Sequence, residues 1–159
     1  MKKKTMLRTL ALIIAVITAF TCLISCEEEK GEFVPPPFDA GAVVGVPDLE
    51  NPEAKGYTEL DAKAYKFAVC GLVKLSGDSA DIYFTNVETN DVWLKLRVLD
   101  EKGNILGETG LIKPGEYVKS VTFSEKVPKV GTSIVMKIMG YQPETYYSAG
   151  AANLATVIS

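Results

Sequence analysis

Three cysteines and no histidine set narrow limits on the chemistry open to this 159-residue chain. Without histidine the commonest general base near neutral pH and the commonest transition-metal ligand are missing. A hydrolase would need a nucleophile beside a base, or two carboxylates opposed across a cleft. Cys70 is the one thiol outside the first 26 residues. It falls in an apolar, alternating stretch with Ala68 and Leu72, without a base to activate it, and reads as a buried, inert thiol. The acids Asp78, Asp81, Glu88, Asp91, Asp100, Glu101 and Glu116 sit at turns and on polar faces, where short acidic side chains hydrogen-bond their own backbone. Asp100-Glu101-Lys102-Gly103-Asn104 faintly suggests a calcium loop, but lacks the alternating oxygen ligands and the closing Glu, so it reads as a turn. No Cys-x-x-Cys pair offers zinc ligands, and a single thiol in the body cannot form an internal disulfide. The residues therefore predict no catalytic group, no metal and no cofactor, and a protein that is not an enzyme.

Binding through aromatic rings is the chemistry that is left. Strict alternation along Val92 to Leu99 puts Trp93 on the polar face, beside Lys95 and Arg97. Tyr141, Tyr146 and Tyr147 flank a Gln142-Pro143-Glu144 turn. Exposed together, these four would form a candidate binding patch of the type that grips sugar rings or protein partners. The structural alternative is that Trp93 covers a second small core against the preceding leader, while a Tyr fixes a corner by hydrogen-bonding the backbone.

The elements that would position such residues begin at the amino terminus. Lys2, Lys3, Lys4 and Arg8 form a basic start, Leu10 to Ile24 is almost continuously apolar, and Leu23-Ile24-Ser25-Cys26 closes the segment before Glu27-Glu28-Glu29. Basic, apolar, then small-residue is the order of a secretory signal. The apolar run is about 15 residues, short of the ~20 a spanning helix needs. Leu23-Ile24-Ser25-Cys26 resembles the lipobox of bacterial lipoprotein precursors. That resemblance implies cleavage between Ser25 and Cys26 and a diacylglyceryl lipid on the Cys26 thiol. Two acyl chains anchor stably where one would not. Removing the signal takes four of the chain's 17 basic residues and none of its 20 acids, so the net charge moves from −3 to −7. Such a balance disfavours nucleic acid as a partner.

Residues 26–56 read as the lipidated Cys followed by an irregular leader: a charge run, then Pro35-Pro36-Pro37, then scattered Gly and Pro. Three consecutive prolines favour polyproline II. Phe33, Phe38, Val43, Val44, Val46 and Leu49 are too apolar for a plain tether, which suggests that part of the leader packs along the domain as an edge strand. From Ala62 onward the pattern is of strands. Tyr65, Phe67, Val69 and Val73 share one face. Leu94, Leu96 and Val98 share another, and Ile134, Met136 and Ile138 a third. Asp100 to Gly103 predicts a hairpin turn, and Lys113-Pro114-Gly115-Glu116 a type II turn. Further strands are expected near Ile82–Thr85, Asn104–Leu111, Tyr117–Phe123 and Ala149–Val157.

Seven or so short strands with turn signals about every ten residues predict an all-β fold: a small antiparallel two-sheet sandwich, immunoglobulin-like, over 57–159. The Cys pair and intervening Trp of antibody domains are missing, so the expected likeness is architectural. Asp81-Ile82-Tyr83-Phe84-Thr85-Asn86, Val92 to Val98 and Gly110 to Tyr117 resemble segments of small lipoproteins of Gram-positive gut bacteria. That resemblance covers about residues 60 to 158 and implies fold rather than activity. The expectation for the whole chain is a protein held on the extracytoplasmic face of the cell membrane by its lipid. There it would act as a binding or adhesion module for a protein or glycan, or as a non-catalytic subunit of an envelope complex.

Overall fold

A computed structural model describes residues 33–124 and 126–159. The expected signal helix, its cleavage point at Ser25 and the lipidated Cys26 lie outside these residues. The compact unit runs from Pro35 to Ser159 and takes in the Pro/Gly-rich stretch 35–56 as well as the expected sandwich. Among the described residues no helix is long and apolar enough to cross a membrane.

The described residues form ten strands that pack as two antiparallel sheets. The first holds β1 (Val43–Val44), β2 (Tyr57–Asp61), β3 (Lys66–Cys70), β4 (Lys74–Ser76), β5 (Ser79–Asn86) and β8 (Glu116–Thr122). Its order is β1-β8-β5-β3-β2, with β4 paired to β5. The second holds β6 (Trp93–Leu99), β7 (Ile105–Glu108), β9 (Ser133–Tyr141) and β10 (Ser148–Val157), in the order β10-β9-β6-β7. The chain changes sheet between β5 and β6, between β7 and β8, and between β8 and β9.

Period-two alternation builds the core. Leu94, Leu96 and Val98 from β6 and Ile134, Met136 and Ile138 from β9 are buried against Phe67, Val69, Ile82, Phe84 and Val118 of the facing sheet. Each of these larger side chains contributes about 1.5–3 kcal/mol on leaving water. The two turns form as their residues require. Gly103 (φ 84°) closes the β6–β7 hairpin and Gly115 (φ 78°) takes the third position of the Lys113–Glu116 turn, both left-handed.

Several elements differ from the sequence expectation. The strand expected from Tyr65 through Val73 breaks at Gly71–Leu72, because Val73 leaves to bridge Ile158 beside the other sheet. β2 lies ahead of the expected first strand. Its Thr58, Glu59 and Asp61 are polar, so periodicity does not announce it. β3 is buried on both faces: Tyr57 reaches over it to bond Thr85 Oγ1 at 2.8 Å, covering Ala68 and Cys70. The polar stretch Asn86–Asn90 is a bolt between the sheets. The fully buried Asn86 donates from Nδ2 to the carbonyls of Val92 (2.8 Å) and Ile112 (3.1 Å), and its Oδ1 accepts from Asn90 Nδ2 at 2.6 Å.

The leader is tied down at several points. Val43–Val44 pairs with β8 as an edge strand. Upstream, the Leu111 N–H donates to Pro37 O and the Asp39 N–H to Leu111 O, both at 2.9 Å, while Asp39 Oδ2 accepts the Gly110 N–H at 2.7 Å. Gly110 is required for this approach, since a Cβ there would lie 2.4 Å from the Asp39 nitrogen.

Candidate binding surfaces

The β6–β9 register places Trp93 opposite Tyr141, Lys95 opposite Met139 and Arg97 opposite Lys137, all on the outer face of the second sheet. This face is less solvated than alternation alone implies. Lys95 is 5% exposed. Its Nζ donates to Glu108 Oε1 at 2.7 Å while Arg97 Nε donates to Oε2 at 2.7 Å, so one carboxylate covers both cations. Partial burial works to raise the Glu108 pKa, but the hydrogen bonds and charges of Lys95 and Arg97 outweigh it and hold the group below its usual range.

Trp93 is half-buried between two rings. Phe38 meets it edge-on, centroids 4.8 Å apart at 75°, and Tyr146 does so at 5.3 Å and 61°. Such pairs add about 0.5–1.5 kcal/mol beyond their burial. Lys113 Nζ lies 5.0 Å from the Phe38 ring centroid. Of the four aromatic residues singled out by sequence, the structure joins Trp93 to Tyr146 by ring contact and to Tyr141 by strand register. Tyr141 turns its hydroxyl toward Met139 Sδ at 3.9 Å. Tyr147 shares the hairpin loop with Tyr146 and is 74% exposed. That loop is closed by Gln142 N–H to Tyr147 O (2.8 Å) and Tyr146 N–H to Gln142 O (2.9 Å). Glu144 and Tyr146 hold positive φ, 63° and 57°. A left-handed bulky residue costs about 1 kcal/mol or more, and the ring contact helps to offset it.

The sequence reading missed Phe38 as a member of this group, although its apolar excess in the leader was legible. The corner tyrosine is Tyr65, outside the aromatic loop. Its buried hydroxyl donates to Ile138 O at 3.0 Å and lies 3.4 Å from Gly150 O. Burial raises its pKa.

Another surface feature was not legible in sequence. A groove of about 640 Å³ runs over the outer face of the first sheet. Ala68, Thr85, Tyr57 and Glu59 line it together with Val44 and Val46. The two valines are 82% and 81% exposed, so the leader leaves apolar side chains in water here.

The nucleophile and metal candidates have plain structural roles. Cys70 is 1% exposed, and burial pushes its thiol up to about 11. Asp100 accepts the N–H groups of Lys102 (2.9 Å) and Asn104 (2.8 Å) and the Asn104 side-chain amide (2.8 Å), as a turn carboxylate does. These bonds, that from the Asn104 side chain first, lower its pKa. No group of three or more His, Cys, Asp or Glu among the described residues is placed to hold a metal.

No family model and no curated protein matches the chain. Among solved structures it is similar to the β-glucuronidase of Ruminococcus gnavus. In the complex with N1-substituted uronic isofagomine the identity is 20% and the TM-score 0.38, over 58% of this chain and 15% of that one. In the D-glucaro-d-lactam complex the values are 18%, 0.37, 57% and 15%. The chain thus spans 15% of that enzyme's length, and a likeness at this level brings neither activity nor ligand across.

Proposed function

We propose that this chain is a bacterial lipoprotein, anchored through diacylglyceryl-Cys26 to the extracytoplasmic face of the cell membrane, whose β-sandwich binds a protein or glycan rather than catalysing a reaction. The observation that carries the binding reading is the ring group at one end of the second sheet. Trp93 is half-exposed between Phe38 and Tyr146, with Lys113 beside Phe38 and Tyr147 projecting from the same loop as Tyr146. Rigid aromatic side chains with a cation at the rim suit sugar faces and protein hot spots alike. The anchor reading rests on the basic start, the apolar run and Leu23-Ile24-Ser25-Cys26. The strand orders β8-β5-β3 and β10-β9-β6-β7 support an immunoglobulin-like connectivity, a scaffold on which loops and sheet faces do the binding.

Two measurements test this. Cells making the wild-type chain should incorporate labelled fatty acid into it and hold it in the membrane fraction. Cys26→Ser should lose the label and release the protein, and an unlabelled wild type would refute the anchor. Trp93 is the chain's single tryptophan, so its emission reports directly on the ring group. Titration with envelope glycans or solubilised envelope proteins should shift that emission for the cognate class. A ligand that binds without moving it would place recognition elsewhere.

A second reading, an accessory subunit of an envelope complex, is favoured by one contact: Phe38 of the leader lies against Trp93, as a structural ring would. Under that reading Trp93→Ala lowers stability, and a membrane partner co-purifies in fixed ratio through another surface.

A further inference from the structure

Among the described residues five strands stand at sheet edges, and four of them are blunted. β1 is two residues long, β4 is three residues with Lys74 at its start, β7 is four residues with Glu108 at its end, and β2 carries Glu59 and Asp61. Short length and charge are the usual means of keeping a sheet edge from pairing with another chain. β10 has neither. It is ten residues, Ser148 to Val157, without a Lys, Arg, Asp, Glu or Pro. None of its residues is fully buried, whereas neighbouring β9 buries Ile134, Met136, Ile138 and Gly140. Leu154 and Ala152 pack on the core and are still half-open, because β10 has a strand on one side alone among the described residues. Its carboxyl-terminal end is closed off: Thr156 Oγ1 donates to Gly71 O and Ile158 bridges Val73. The open part is 148–155, and its regular stretch is 151–155, because a bulge lies between Ser148 and Gly150.

We propose that this open edge pairs antiparallel with the same edge of a second copy of the chain. The occupant follows from charge and shape. Apart from its first residues the chain is acidic, so two copies repel unless they meet along a neutral stripe, and β10 is the long edge that has no charge of its own. A cationic partner would find no carboxylate on it to bind. Every strand pair in both sheets is already antiparallel, so a two-fold axis near Ala152 continues the second sheet as β7-β6-β9-β10 followed by its mirror order. Side chains facing one another across that junction lie on the same sheet face, which sets Ala151 opposite the second copy's Asn153. Both are exposed and neither is large, so the backbones can approach to strand spacing. The interface is isologous and closes as a dimer, without propagating into fibres.

The test uses the full chain in two differently tagged forms made in one cell, with one form captured and the other quantified. Wild type should recover its second form. The double substitution Ala151→Lys and Asn153→Lys on both forms should reduce recovery at least tenfold, since it opposes four like charges at the junction. Pairing one form carrying Ala151→Lys and Asn153→Lys with another carrying Ala151→Glu and Asn153→Glu should restore it. That rescue also shows that both variants fold. Absence of recovery for wild type, or recovery unchanged in the double-lysine pair, overturns the proposal, as does failure of the mixed pair to exceed either like-charged pair. The result does not depend on the lipid: a chain released by Cys26→Ser can be captured from solution in the same way, so failure of the anchor and failure of the dimer are separable.

Discussion

Single side chains carry the consequences that are easiest to measure. Asn86 supplies two donors to carbonyls that have no route to water, so Asn86→Leu should cost about 2–3 kcal/mol, read as a lower urea midpoint with an unchanged slope. The Lys95–Glu108–Arg97 group behaves asymmetrically. Glu108→Ala strands a buried ammonium and should cost about 2 kcal/mol, a figure already reduced for the carboxylate's 39% exposure. Lys95→Met removes the burial penalty together with the attraction and should leave stability within about 1 kcal/mol of wild type, or raise it. Because the Glu108 pKa is depressed on folding, its contribution is complete above the ordinary value of 4.5 and fades as pH falls through the lower folded value. Urea titrations from pH 6 to pH 3 should therefore show an acid-side loss of stability that Glu108→Gln diminishes. Cys70, buried with its thiol at about 11, should stay unmodified by iodoacetamide at pH 8 until the protein is unfolded.

At the level of elements, the leader is the segment whose role changes most between sequence and structure. Its composition shows a stretch too apolar for a tether, but not which residues attach or where. Attachment depends on a clip formed by Asp39 across 71 residues of sequence to Gly110. Gly110→Ala would place a Cβ 2.4 Å from the Asp39 nitrogen and should unseat Pro37 to Asp39. Phe38 would then leave Trp93, so the emission of the single tryptophan should move to longer wavelength and a protease should cut near Pro37 earlier than in wild type. Removing the side chain with Asp39→Ala should do the same more mildly, by about 1 kcal/mol for the lost hydrogen bond. The core strands behave differently. β5, β6 and β9 alternate strongly enough that their inward faces are readable residue by residue.

For the whole molecule, the fold is a two-sheet sandwich held by burial and by one polar bolt. Cys70 is its one described cysteine and is free, so no disulfide contributes. With a compact unit running from Pro35 to Ser159 the margin is modest, and the changes predicted at Asn86 and Gly110 should be felt as cooperative loss of the entire domain. The proposed function places that domain beside a membrane, where anchoring raises the local concentration of copies. An edge such as β10, too weak for dilute solution, would pair more readily there.

Alternating apolar residues, turn glycines and proline settle the fold class, because these are local properties of pattern and composition. Leu94, Leu96 and Val98 can face one way only, and Gly115 follows Pro114 into one turn type. What depended on tertiary structure is every property that joins distant segments. Tyr65, not a loop tyrosine, fixes the corner. Phe38 covers Trp93, Glu108 closes over Lys95, Val44 and Val46 stay in water, and β10 is left at an edge. Each is a pairing between residues far apart in sequence, set by sheet order, and sheet order follows from how the whole set of strands buries its faces rather than from any one strand's residues.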